Sequence, residues 1–344
     1  RFLRDGIFDR VQIFSYDAGD RALVEELAKE DGDFSRIDIL APSRASLSGA
    51  KGLVWGLLGP LRHRRALARS TAIKTNQING SWAAVLAAKL TGRPLFLRLG
   101  YLLSRNYAKS GQKLRSVIAR AAERAGFRAA RHILVSARDV EEALEQAPAA
   151  RGKVVLTPTY VDMSCFEPKS DYRFDEPLIA VGRLARPKNF DNLLRACAIA
   201  GRDIVLVGKG ELEADLRALA AELPITVEFA GQVPNDALAA KLREHSVFIL
   251  PSLYEGLPKV LVEAMAAGLV CIGSRIPGIA DLLEDGKTGY FIDGFDPEAI
   301  AAAIERAHSA RDAEIGRRAR ASVADIFSLE RYVAREAALY AAIP

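Results

Sequence analysis

Cysteine is scarce in this chain: Cys165, Cys197 and Cys271 are the only three among 344 residues, and they stand apart from one another. An odd, scattered set provides neither a disulfide framework nor the spacing of a metal site, and it fits a reducing, cytoplasmic compartment. Histidine is nearly as sparse, with four residues and no HExxH or paired-ligand pattern, so a protein-held metal is not expected. No apolar run approaches the roughly 20 residues that a membrane-spanning helix needs. Acidic residues are missing altogether between Asp38 and Glu123, a stretch that holds 15 Lys and Arg. Residues 1–170 carry 28 Lys/Arg against 17 Asp/Glu (+11), and the rest carries 20 against 26 (−6). That asymmetry implies that the first half meets something anionic.

What is present is ordinary for a globular protein. Half of the residues are hydrophobic and 26% are charged, and 344 residues suffice for two domains with full cores. From Asp175 onward, short apolar runs at 178–182, 204–208, 226–230, 247–251, 270–273 and 289–292 read as strands. Helical patterns at 189–200, 211–223, 236–244, 257–267 and 279–283 separate them. Near-continuous apolar strands alternating with helices predict a parallel sheet covered on both faces, with ligands bound outside the carboxyl ends of the strands. The first half repeats the pattern, with strands at 11–15, 37–40, 72–75, 95–98, 132–136 and 154–157 and helices at 22–30, 82–90 and 113–130. The Pro-bounded stretch 158–177 reads as a linker, giving domains at 1–168 and 169–328 and a terminal helix in 329–344.

The most informative segment is Glu255-Gly-Leu-Pro-Lys-Val-Leu-Val-Glu263. Pro258 suits a first helical position, which puts Glu255 in the loop beside a helix N-terminus and Glu263 on the helix itself. Free N–H groups at a helix start attract phosphate. A carboxylate repels it, so each Glu is better suited to accepting hydrogen bonds from neutral hydroxyls. Hydroxyl acceptors on both sides of an anion site describe a nucleotide sugar. Some 70 residues earlier, Gly182-Arg-Leu-Ala-Arg-Pro-Lys188 follows a strand and offers Arg183 as a bidentate fork and Lys188 as a point charge for a diphosphate. Gly208-Lys-Gly210 lacks the third glycine of a dinucleotide fingerprint, since position 213 is Glu, which disfavours a nicotinamide cofactor.

These segments resemble the retaining family-4 glycosyltransferases of GT-B fold. The resemblance implies an α/β protein of two Rossmann-like parallel-sheet domains facing a cleft, with the C-terminal helix crossing back to the first domain. It assigns Glu255 to the donor sugar, Glu263 to the ribose, and Arg183 with Lys188 to the departing diphosphate. Gly182, Gly208, Gly210, Gly256, Leu257, Pro258, Lys259 and Val260 line the donor, and Val233 with Pro234 hold the base through main chain. No cofactor is implied beyond the donor, a UDP-, GDP- or ADP-sugar. Family-4 enzymes usually open with a strand, a glycine-rich loop and a helix. Here the opening residues read as the end of that helix, so a preceding segment is expected. Where many members place a His after a first-domain strand, this chain has Arg98 and Tyr101, with Asn76 closing the neighbouring strand; these form the expected acceptor side.

Two further segments point to an anionic membrane surface at the inner face of the cell membrane. The apolar stretch 52–61 runs into Arg62-His-Arg-Arg65, and the helical stretch 113–131 carries six basic residues on an Ala- and Val-rich background. The expected acceptor is accordingly an anionic or lipid-linked glycan of the cell envelope. Nucleotide-sugar epimerisation and non-catalytic nucleotide-sugar binding on a decayed transferase fold are the alternatives. The basic tract lacks the motifs of single-strand binding, so nucleic acid is not an expected partner.

Overall fold

The computed structural model describes residues 1–17, 19–42, 47, 49–78 and 80–343. The chain divides into two compact units, Arg1–Thr157 with Val333–Pro344, and Pro158–Tyr332.

The first unit runs β1 (Val11–Phe14), α1 (Gly19–Glu30), β2 (Ile37–Leu40), α2 (Gly49–Arg62), α3 (Arg64–Leu67), β3 (Ile73–Lys74) and α4 (Ser81–Thr91). It continues with β4 (Leu95–Leu99), α5 (Leu103–Lys109), α6 (Lys113–Ala129), β5 (Ala130–Val135), α7 (Arg138–Glu145) and β6 (Val154–Leu156). β1 pairs with β2, and β3-β4-β5-β6 form a four-stranded parallel sheet. The opening residues, read from sequence as a helix end, form hydrogen-bonded turns.

The second unit runs β7 (Leu178–Val181), α8 (Phe190–Ile199), β8 (Ile204–Val207), α9 (Glu213–Glu222), β9 (Val227–Gly231) and α10 (Asn235–Arg243). Then follow β10 (Val247–Leu250), α11 (Lys259–Ala266), β11 (Val270–Ser274), α12 (Pro277–Ala280), β12 (Tyr290–Ile292), α13 (Pro297–Ala310) and α14 (Ala313–Phe327). α15 (Leu329–Ala341) begins in this unit and ends in the first. The six strands form one parallel sheet in the order β12-β11-β10-β7-β8-β9. Successive side chains point to opposite faces of a strand. Ile179, Val205, Phe248 and Cys271 accordingly pack beneath α10, α11 and α14. Ala180, Leu206, Ile249 and Ile272 pack on the other face beneath α8 and α13. Burial on both faces explains why these strands read as unbroken apolar runs.

The stretch 158–177 is not a free linker. Val161, Phe166 and Phe174 are buried in the cores of the second unit, and the Tyr172 hydroxyl donates to the Gly268 carbonyl at 2.5 Å. The boundary therefore falls at Thr157, earlier than the sequence reading at 168. At the other end, Tyr340 packs on Phe96 of β4 beside Phe2 and Phe8, and Arg131 donates to the Ala342 carbonyl. The tail of α15 is thus part of the first unit.

Candidate donor site at the strand ends of the second unit

The strand order contains one reversal. From β7 the chain winds outward through β8 and β9, then returns to β7's other side and winds away through β10, β11 and β12. Loops leaving neighbouring strands in opposite directions open a crevice, and here it lies at the carboxyl ends of β7 and β10. The loop after β7 supplies Arg183 and Lys188; the loop after β10 supplies Glu255.

Local chain geometry fixes both loops. Arg186–Lys188 makes a single 3-10 turn, and Asn189 at φ 57° turns the chain into α8. Asn is among the few residues that tolerate this left-handed region, and its side-chain amide donates to the Phe295 carbonyl at 2.9 Å. The Leu253 amide reaches across to the Pro187 carbonyl at 2.8 Å, joining the two loops through main chain.

Lys188 and Glu255 meet there, with Nζ 2.5 Å from Oε1. Both side chains are largely buried, at 18% and 14% exposure. The fully buried Ser252 donates its hydroxyl to the same Oε1 at 2.7 Å. Oε2 of Glu255 accepts no hydrogen bond among the described residues, which leaves one carboxylate oxygen available to a hydroxyl. Ser252 escaped sequence reasoning. Its only signal was its place at the strand end, three residues before Glu255.

Arg183 is exposed and makes no ion pair among the described residues. Gly182 carries the stem of Lys188: a β carbon there would sit 3.1 Å from Lys188 Cε. Gly208 and Gly210 stand where the backbone leaves no room for a side chain. A β carbon on Gly208 would fall 1.9 Å from the Gly182 carbonyl oxygen, and one on Gly210 would fall 2.2 Å from that of Leu184. The Leu184 amide donates to the Lys209 carbonyl at 3.0 Å, and the Leu184 carbonyl accepts from the Leu212 amide at 3.0 Å. These glycines clamp the loop after β8 against the loop that bears Arg183 and Lys188.

Pro258 precedes α11 rather than opening it, because its carbonyl accepts the first helical bond, from Leu261 at 3.0 Å. The amides of Lys259 and Val260 stand at the N-terminus, where no helical carbonyl lies four residues back. Glu263 follows one turn on. Its side chain is 8% exposed and paired with Lys259 Nζ at 3.0 Å. Gly256 is exposed, while Leu257 and Val260 pack against the core from its edge. Val233 also packs there, and Pro234 precedes α10. A residue outside the expected set supports the Glu255 loop: buried Gly278, in α12, lies so close that a β carbon would meet the Gly256 carbonyl oxygen at 1.8 Å.

In the first unit, Asn76 and Tyr101 are exposed after β3 and β4. Arg98 is held further in. Its amide donates to Thr75 Oγ1 at 2.9 Å, and its guanidinium lies 4.0 Å from Glu336 of α15. Glu336 is 1% exposed and takes Lys74 Nζ on both carboxylate oxygens, at 2.8 and 2.6 Å. Burial pushes the Lys74 ammonium below its ordinary pKa, with Glu336 pulling the other way. No group of three or more His, Cys, Asp or Glu gathers at a metal-holding distance among the described residues.

Comparison with known proteins agrees with this fold. Residues 172–322 match the family model described as Glycosyl transferases group 1. The α-D-kanosaminyltransferase of Streptomyces kanamyceticus is 28% identical over 302 residues, 79% of this chain and 78% of that one. The amylovoran biosynthesis glycosyltransferase AmsK of Erwinia amylovora is 31% identical over 169 residues, 45% of this chain and 42% of that one. The match thus spans less than half the length of that relative. Among solved structures, Anabaena Alr3699/HepE in complex with UDP and glucose superposes with a TM-score of 0.77 at 17% identity, covering 99% of this chain and 94% of that one. At that identity the likeness establishes the fold, which is GT-B.

Proposed function

We propose that this chain, which carries a glycosyl transferases group 1 domain at residues 172–322 in a GT-B fold, moves a hexose-type sugar from a nucleoside-diphosphate sugar to a lipid-linked or cell-envelope polysaccharide acceptor. Retention of configuration follows from the resemblance to the family-4 enzymes, and no metal takes part. The observation that carries this reading is the Lys188–Glu255 pair at the crevice between β7 and β10, with exposed Arg183 beside it on the same loop.

The donor lies along the strand ends. Glu255 accepts from a sugar hydroxyl through Oε2, Glu263 from the ribose, and the main chain around Val233 holds the base. As the glycosidic bond breaks, negative charge builds on the departing diphosphate. Arg183 meets that charge with two N–H donors, Lys188 adds a point charge, and the N-terminus of α11 contributes its partial positive charge. The acceptor is recognised by the first unit through Asn76, Arg98 and Tyr101. The relative named for amylovoran biosynthesis supports a polysaccharide acceptor, and the basic character of residues 39–122 supports an anionic one.

The test begins with a thermal-shift screen against UDP-, GDP- and ADP-sugars, since a bound donor raises apparent stability by mass action. Transfer from the stabilising donor should fall about ten-thousandfold in Arg183→Ala/Lys188→Ala, because each lost donor to developing charge costs about a hundredfold or more. Glu263→Ala should weaken binding of the free nucleotide at least fivefold, since removing one hydrogen-bonding carboxylate costs about 1 kcal/mol or more. Wild-type turnover in the double variant, or isomerised sugar formed without any acceptor, would overturn the proposal.

A further inference from the structure

Lys74 and Arg98 stand on the neighbouring parallel strands β3 and β4, near the carboxyl ends where ligands of such sheets bind. Thr75 laces the two strands there. Its Oγ1 accepts from the Arg98 amide at 2.9 Å, and its own amide donates to the Phe96 carbonyl at 3.0 Å. Side by side the two cations repel, and the stretch of chain that carries them, residues 39–122, contains no acid. The counter-charge comes instead from α15, 262 residues beyond Lys74. Glu336 takes Lys74 Nζ at 2.8 and 2.6 Å and stands 4.0 Å from the Arg98 guanidinium. One helical turn on, Tyr340 donates its hydroxyl to the same carboxylate at 3.3 Å. Its ring packs on Phe96, which shares a strand face with Arg98.

The charges are layered. Glu336 is 1% exposed, whereas the Lys74 and Arg98 side chains keep 26% and 17% of their surface. An incoming group therefore meets the two cations, with the carboxylate sealed behind them. Such a layer suits an oxyanion, because Arg offers a two-pronged fork and Lys a point charge. Exposed Asn76 and Tyr101 follow the same two strands.

We propose that Glu336 is a positioning residue for the acceptor: through Lys74 and Arg98 it sets a receptor for one oxyanion, a phosphate or a carboxylate, carried by the sugar to be extended. The inference rests on the reading of the first unit as the acceptor side. It adds the chemical group which that side recognises and the residue that holds the receptor in shape. Glu336 touches no substrate itself. Its two bonds to Lys74 and its closeness to Arg98 set the separation of the cations, and the packing of Tyr340 on Phe96 fixes α15 in turn.

Calorimetric titration of the whole chain, with no donor present, compares hexyl glucoside with hexyl glucuronide and hexyl glucoside 6-phosphate. Wild-type protein should bind at least one of the two anions about tenfold or more tightly than the neutral glycoside, the worth of a hydrogen bond to a charged group. Whichever anion is preferred names the source of the oxyanion. Glu336→Asp keeps the charge and withdraws the carboxylate by one methylene. Lys74→Met/Glu336→Leu removes one charge of each sign and leaves no buried ion alone. Neither changes the net charge, so a bystander carboxylate would leave the preference as it is. Positioning predicts that both variants, with unchanged far-UV spectra and wild-type affinity for hexyl glucoside, cut the preference to less than about threefold. With donor present, the loss should appear in KM for the anionic acceptor rather than in kcat. Arg151→Gln, at an exposed arginine of the first unit, should keep the preference. Equal or absent binding of the three glycosides by wild type, a preference preserved in either variant, or neutral binding lost along with the anions would each overturn the proposal. A preference that falls as stated in a protein that transfers nothing confirms the receptor and defeats only the enzymatic reading.

Discussion

Replacing Gly278 by alanine should disable the Glu255 loop from behind. Gly278 is not in the left-handed region, so alanine introduces no backbone strain and the effect is one of space alone. The new methyl would lie 1.8 Å from the Gly256 carbonyl oxygen and 2.8 Å from that of Glu255. Real β carbons keep at least 3.0 Å from such atoms, so the loop must retreat by about 1.2 Å or α12 must lift. Overpacking of this kind costs roughly 1–3 kcal/mol. In a domain of this size that lowers the melting temperature by about 2–12 °C. The larger consequence is catalytic. A displacement of about 1 Å in a positioning group costs on the order of a hundredfold in rate, and Glu255 carries both the proposed sugar contact and the Lys188 pair. The assay is transfer rate at saturating donor, with nucleotide affinity measured alongside by calorimetry. The rate should fall about a hundredfold, with nucleotide affinity within about threefold of wild type, since Glu263 and Val233 lie elsewhere. Gly32→Ala, where a methyl meets nothing within 4 Å, serves as control. A Gly278→Ala protein that transfers at the wild-type rate, whatever its melting temperature, would refute the argument.

Two further outcomes concern buried charge. Glu336→Gln leaves Lys74 facing Arg98 with no carboxylate between them, and should lower unfolding free energy by about 3 kcal/mol in urea titrations. Lys74→Met/Glu336→Leu should recover most of that loss; a double variant as unstable as the single would show that the pair is not the cause. His245 is buried, with Nδ1 2.9 Å from the Pro177 carbonyl and Nε2 without a partner among the described residues. Burial holds its pKa below the usual histidine value. The unfolded ring titrates near 6.5, so the unfolded state binds more protons between that pH and the lower native value. Stability from this residue is whole above about pH 6.5 and is lost as pH falls through the native pKa. His245→Gln, which keeps a donor but does not titrate, should flatten the fall of melting temperature between pH 7 and 5; an unchanged slope would remove His245 from the account.

The strands of the second unit were legible because burial on both faces writes itself as unbroken apolar runs, and each predicted run lies within about a residue of its observed strand. The Glu pair was legible as chemistry, through two carboxylates beside a helix start. Its partner was not: Lys188 reaches Glu255 across 67 residues of chain, a contact set by strand order alone. The glycines of 208–210 invited a ligand-facing reading, yet the close neighbours they accommodate are the Gly182 and Leu184 carbonyls, visible only once the loops are stacked. Helices α13 and α14 went unassigned although Asp296-Pro297 and Asp312 mark their starts, each Asp side chain accepting from an amide of the first turn. The apolar stretch 52–61 was legible as a surface segment but not as helix α2, because its glycines and proline read as breaks, whereas Gly56 and Gly59 occupy the packed side.

The winding of the second sheet sets a division of labour. Lys188, Arg183 and Glu255 hang from strand tips, whereas the strands beneath them are sealed between helices on both sides and answer only to packing. A lineage can therefore exchange one sugar or base for another by rewriting fingertips over an unaltered palm. The same arrangement exposes a cost: the palm's stability carries no information about whether the fingers still close on anything.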